Sequence, residues 1–153
     1  MNTPWKYIHP KFKFNGLPYQ SDRLFEIANG LINRGTHFEI SIGNFIQEWL
    51  DNNDYVVVKT SGSTGVPKNL ELSKQKMINS AKATGTFFKL PENTTALLCL
   101  PSNYIAGKMM LVRAMILGWN LHIVAPEKDA ISHYNADYDF VAMVPYQVHY
   151  SLK

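Results

Sequence analysis

A chain of 153 residues, 46% hydrophobic and 12% aromatic, has the usual size of one domain and enough apolar content to close a core. Its net charge is only +3 and no basic arm is visible, which argues against nucleic acid as a partner. Apolar stretches such as Met109 to Leu117 are far too short to span a bilayer, and the N-terminal MNTPWKYIHPKFKF lacks a signal peptide's continuous apolar segment, so a cytoplasmic protein is expected.

From Ser21, the residues Leu24, Ile27, Ala28 and Leu31 recur at helical spacing, with Ser21 or Asp22 as a cap and Gly35 beyond the end. A second helix is expected after Ser41, with Phe45, Ile46, Trp49 and Leu50 on one face, ending at the polar turn Asp51 to Asp54. Tyr55 to Val58 is aromatic and β-branched and reads as a buried strand that runs into a Gly-rich loop. Asn69 to Leu72 alternates polar and apolar, and Ser73 then caps a helix that turns Met77, Ile78, Ala81, Gly85 and Phe88 inward.

Further strands are expected over 95–100, 120–125 and 140–144, with a strongly apolar helix from Ile105 to Leu117. Strand, helix and strand in that order predict an α/β fold with a mixed, partly parallel sheet covered by helices. Residues 1–54 read as a helical lead-in and 55–153 as the α/β part. Cys99, the single cysteine, lies in the apolar run ALLCLP and reads as a small buried residue. The five histidines, His9, His37, His122, His133 and His149, show no metal-ligand spacing.

The chemistry concentrates in TSGSTGVPK, Thr60 to Lys68. Five of its nine residues carry a hydroxyl or an ammonium group and two more are Gly, a composition suited to an anion. Gly62 and Gly65 permit backbone conformations closed to other residues. The hydroxyls of Thr60, Ser61, Ser63 and Thr64 are donors for phosphate oxygens, and Lys68 adds positive charge. The loop fails the G-x-x-x-x-G-K-[ST] pattern and joins two strands rather than opening a helix. A polar hairpin turn with no ligand is the alternative for such a cluster.

At every position the loop matches [ST]SG[ST]TG-x-PK, and the chain thereby resembles the adenylate-forming acyl-CoA synthetase superfamily. Leu100-Pro101-Ser102-Asn103-Tyr104-Ile105-Ala106-Gly107 follows the order of a second family segment, with Tyr104 where many ligases have His. The stretch YIAGKMMLVRAMILGW, Tyr104 to Trp119, looks most like O-succinylbenzoate-CoA ligases of menaquinone synthesis. DFVAMVPYQV, Asp139 to Val148, resembles the family strand that precedes a substrate-side helix.

The resemblance implies two half-reactions: a carboxylate attacks the α-phosphate of ATP to form an acyl-adenylate, and coenzyme A then displaces AMP. Thr60, Ser61, Gly62, Ser63, Thr64 and Gly65 would bind the nucleotide, Lys68 would neutralise its phosphates as the catalytic cation, and Mg²⁺ would accompany ATP. A small carboxylic acid is the implied substrate, with Tyr104, Lys108 and Arg113 as residues for it. Lys108 and Arg113 lie five positions apart, roughly 140° around an ideal helix, so they do not share a face. Pairing with surface acids is the alternative for both, and ordinary core the alternative for Tyr104.

The family's remaining motifs and its C-terminal domain find no match here. The chain is expected to be the N-terminal part of the large adenylation domain, inactive alone, with uncovered sheet edges that favour self-association. A non-catalytic nucleotide- or phosphate-binding module, or a ligase for another aryl or fatty acid, is the competing reading.

Overall fold

The structure, a computed structural model, describes residues 3–19, 21–60, 65–132 and 136–152. After one turn of 3-10 helix at Pro4–Lys6 come β1 (Lys13–Phe14), β2 (Leu17–Pro18), α1 (Ser21–Arg34) and α2 (His37–Leu50). They lead to β3 (Tyr55–Thr60), β4 (Lys68–Ser73) and α3 (Lys74–Phe87). The chain continues through β5 (Thr95–Leu98), α4 (Ile105–Leu117), β6 (Asn120–Ile123), β7 (Phe140–Val141) and α5 (Pro145–Ser151).

Five strands form one sheet in the order β2-β1-β6-β5-β7. β1 with β6, β6 with β5 and β5 with β7 run parallel, and only β1 with β2 is antiparallel. The mixed, partly parallel α/β architecture expected from the element order is the one that forms. β3 and β4 stand apart as an antiparallel hairpin. The first 54 residues are therefore more than a helical lead-in, because β1 and β2 extend the main sheet. Two-residue strands carry too little periodicity to be read from sequence.

α4 is the crossover between the parallel pair β5 and β6, as parallel strands require. Met110, Leu111, Val112, Ala114 and Met115 are all fully buried in it. Beyond its exposed first residues, Ile105 and Ala106, apolar residues surround the helix and leave it no solvent face. Trp49, Trp119, Phe12 and Phe45 fill the space around it as the largest buried side chains.

Three local readings need correction. α2 begins at His37, four residues before Ser41, because the Glu39 carboxylate accepts from the Thr36 amide at 2.7 Å and holds the helix start there. β3 is buried on one side only: Val56 and Val58 point into the core while Val57 and Lys59 face out. Phe88 does not turn inward; it ends α3 with its ring largely exposed, leaning on Phe140 at 5.7 Å. The other expected anchors of α3, Met77, Ile78, Ala81 and Gly85, are buried, and the Ser73 hydroxyl accepts from the Lys76 amide.

Candidate functional site

β3 and β4 pair from Tyr55↔Ser73 up to Thr60↔Lys68, so the loop between them springs from the last rung of a hairpin. The Thr60 hydroxyl donates to the Lys68 carbonyl at 3.3 Å and closes that rung. Gly65 has φ +80 with open space where a Cβ would sit, so the conformation, not crowding, calls for glycine. Lys68 is exposed, and among the described residues no acid pairs with it. Ser61, Gly62, Ser63 and Thr64, the expected donors at the centre of the loop, lie outside the described residues.

Two of the cavities border the N-terminal end of α4. The first, of about 440 Å³, lies beyond the C-terminal ends of β5 and β6 and is lined by Leu100, Pro101, Tyr104, Pro126, Val144 and Gln147. Ligands of parallel α/β sheets bind at that edge, outside the carboxyl ends of the strands. Tyr104 is 48% exposed there. Gln147, only 5% exposed, holds the wall together: its amide donates to the Cys99 carbonyl at 2.8 Å and to the Glu127 carbonyl at 3.1 Å. Its side-chain oxygen accepts from the Val144 amide at the start of α5.

The second cavity, of about 370 Å³, opens between α2, the outward side of β3 and the start of α4. His37, Ser41, Asn44 and Glu48 reach it at the spacing of one helical face of α2, opposite Lys59 and Lys108. Glu48 accepts from the Val57 amide at 2.7 Å, tying α2 to the edge of β3. The Ser102 hydroxyl donates to that of Ser41 at 2.9 Å, tying α2 to the loop before α4.

The chain matches AMP-binding enzymes over residues 16–149. It belongs to the AMP-binding enzyme family. A solved AMP-binding relative, the acyl-CoA synthetase (AMP-forming)/AMP-acid ligase II-like protein from Dyadobacter fermentans DSM 18053, is 37% identical with a TM-score of 0.72. That match covers 81% of this chain and 36% of the Dyadobacter protein, so this chain spans about a third of its relative's length. O-succinylbenzoate coenzyme A synthetase from Bacillus subtilis, solved with ATP and magnesium, is 20% identical with a TM-score of 0.41, covering 54% of this chain and 24% of that one. No curated protein sequence matches the chain.

Within this member of the family, the three residues expected to meet the acid do not converge. Tyr104 lines the cavity at the strand ends, Lys108 lines the cavity beside β3, and Arg113 lines neither. The Arg113 guanidinium is half-buried, donates to the Met110 sulfur at 3.6 Å and leaves its Nε without a partner. Burial alone pulls its pKa below the usual arginine value. α4 is largely buried, and among the described residues neither cation has an acid within ion-pair distance.

α4 also starts very close to the preceding loop. A Cβ on Gly107 would meet the Pro101 carbonyl oxygen at 2.3 Å, so the first turn packs directly on the Leu-Pro segment. Cys99, beside it, is buried with its Sγ on the Ala142 carbonyl at 3.4 Å, and burial pushes its thiol up to about 11. It is structural, as its apolar setting suggested.

The residue that sequence reading missed is Gln147. An amide in YQV carries no signal of its own; its role comes from three segments meeting around it. Among the described residues no cluster of His, Cys, Asp or Glu is arranged for a metal ion, and no helix is long and apolar enough to cross a membrane.

Proposed function

We propose that this chain supplies the ATP-phosphate part of a cytoplasmic acid-CoA ligase that forms an acyl-adenylate and then an acyl-CoA, on O-succinylbenzoate in menaquinone biosynthesis. The observation that carries the reading is the hairpin: two paired strands carry the ends of the Thr60 to Lys68 loop, and Lys68 is exposed with no acid paired to it among the described residues. Thr60, Ser61, Gly62, Ser63, Thr64 and Gly65 would line the phosphates, and Lys68 would offset the charge that grows on the departing pyrophosphate. The donors are hydroxyls and an ammonium, which suits a polyphosphate and offers no carboxylate to a cation. Mg²⁺ would therefore enter with ATP.

The cavity at the ends of β5 and β6 is the place proposed for the acid, with Tyr104 as a wall. Its lining of Leu100, Pro101, Val144 and the Tyr104 ring suits an aromatic or aliphatic body. The rest of the site, including the contacts to coenzyme A, is assigned to sequence beyond the third of the relative that this chain spans. Residues 1–153 are read as the N-terminal part of the large domain, and self-association through the outer strands β2 and β7 is proposed for the chain on its own.

The test is pyrophosphate release from ATP with O-succinylbenzoate and coenzyme A, paired with ATP binding to the chain. ATP binding without turnover is the expected result for the chain alone. Turnover above background would overturn the assignment of the remaining site to other sequence, and no ATP binding would overturn the phosphate-loop reading. A complete gene product that turns over a different acid but not O-succinylbenzoate would replace the substrate.

A further inference from the structure

Lys108 is 7% exposed, and its ammonium sits 4.7 Å from the centroid of the Phe45 ring. Among the described residues nothing accepts a hydrogen bond from it, and no carboxylate lies within ion-pair distance. Glu48 acts on it only as a more distant charge, its carboxylate already engaged by the Val57 amide. A largely buried ammonium is costly unless its three donors are used. Lys108 lines a cavity in which a ligand can take them.

The surroundings of that cavity are built for an acceptor. Asn44 and Asn103 bring amide groups and Lys59 brings a second ammonium, while Ile40 and Phe45 provide apolar floor. Lys59 pairs with Asn69 across the hairpin one rung below Thr60 and Lys68, so the cavity lies at the foot of the loop. Two cations and two amides against one already engaged carboxylate favour a small negative group.

The geometry points to an anion site in this chain apart from the loop and from the cavity of Tyr104: the cavity between α2, β3 and α4 binds a small oxyanion, a carboxylate or a phosphate, held by Lys108 with Asn44 and Asn103. It is distinct from the cavity of Tyr104 and does not depend on what the Thr60 to Lys68 loop binds. Phe45 under the ammonium and the Ser41 to Ser102 bond behind it set Lys108 in place before any ligand arrives.

The experiment titrates the whole chain, at low ionic strength, with inorganic phosphate in one arm and acetate in the other. Heat of binding and amide shifts of Asn44 and Asn103 are the readouts. Saturable binding in either arm, weakened about tenfold or more in Lys108→Met, is the expected result, the size following from the loss of one charge-assisted hydrogen bond. The stronger arm names the chemistry. Lys82→Met, which removes an exposed lysine of α3, should leave the binding unchanged.

A second measurement on the unaltered chain covers the case in which Lys108→Met fails to fold. The bound anion should slow modification of Lys108 by an amine-reactive reagent, mapped by mass spectrometry, and leave Lys82 reacting at its original rate. Saturation in neither arm, equal binding by Lys108→Met, or equal protection of both lysines would overturn the site.

Discussion

The Thr60 hydroxyl and the Lys68 carbonyl meet at 3.3 Å across the last rung of the β3–β4 hairpin, which fixes the two ends of the loop between them against each other. The Lys68 side chain takes no part in that bond and is exposed. Lys68→Ala should therefore leave the hairpin intact and lower ATP affinity by about tenfold to a hundredfold, the range of one charge-assisted hydrogen bond. Equilibrium binding of labelled ATP, with circular dichroism as the check on folding, decides it.

Gly107 should be the least replaceable residue of α4. The Pro101 carbonyl stands 2.3 Å from where an alanine Cβ would lie, and it is backbone, with no flexible end to move aside. Gly107→Ala should cost on the order of 1–3 kcal/mol, as overpacking does. A urea melt that shows no loss would mean that α4 can slide away from the Leu-Pro segment.

Lys108 gives the chain a pH signature. Burial lowers its pKa below the usual lysine value of 10.5, against the opposing pull of Glu48. The unfolded chain then holds the proton more tightly than the folded one, so stability rises with pH from the depressed folded value toward 10.5. Lys108→Met should abolish that alkaline rise and stabilise the apo chain at neutral pH by on the order of 1 kcal/mol. Thermal melts between neutral and alkaline pH compare the two.

Gln147→Leu should separate folding from the shape of the cavity at the strand ends. It removes the donor to the Cys99 and Glu127 carbonyls, leaving the first of these buried without its partner, at a cost of about 1–3 kcal/mol. Amide exchange should quicken at Val144, whose N–H loses the Gln147 oxygen, while α1 and α2 keep their protection. Uniform loss of protection across the chain would make Gln147 an ordinary core residue.

Much of the frame was legible beforehand because it rests on local chemistry. The limits of α4 follow from thirteen continuous residues that include one Lys and one Arg, and from Gly118, whose left-handed conformation ends the helix. Ser73 starts α3 as a cap, and alternation marks β4 as a strand. The loop signature from Thr60 to Lys68 was equally plain as a signature, since its hydroxyls, glycines and lysine are contiguous.

What the amino-acid sequence determined by itself is thus the family of this protein and its frame: a Gly-, Ser- and Thr-rich loop between two strands, followed by a parallel strand–helix–strand unit, in a member of the AMP-binding enzyme family. Tertiary structure alone decided where its cations go. Helical spacing sets Lys108 and Arg113 about 140° apart but cannot say what lies in either direction. The packing of α4 does: it places Lys108 before a cavity formed with α2 and β3 and leaves Arg113 half-buried against Met110. The polar stripe of His37, Ser41, Asn44 and Glu48 would pass for a solvent face in any isolated helix. It lines a cavity here because the edge of β3, distant in the chain until the fold closes, comes to rest against it.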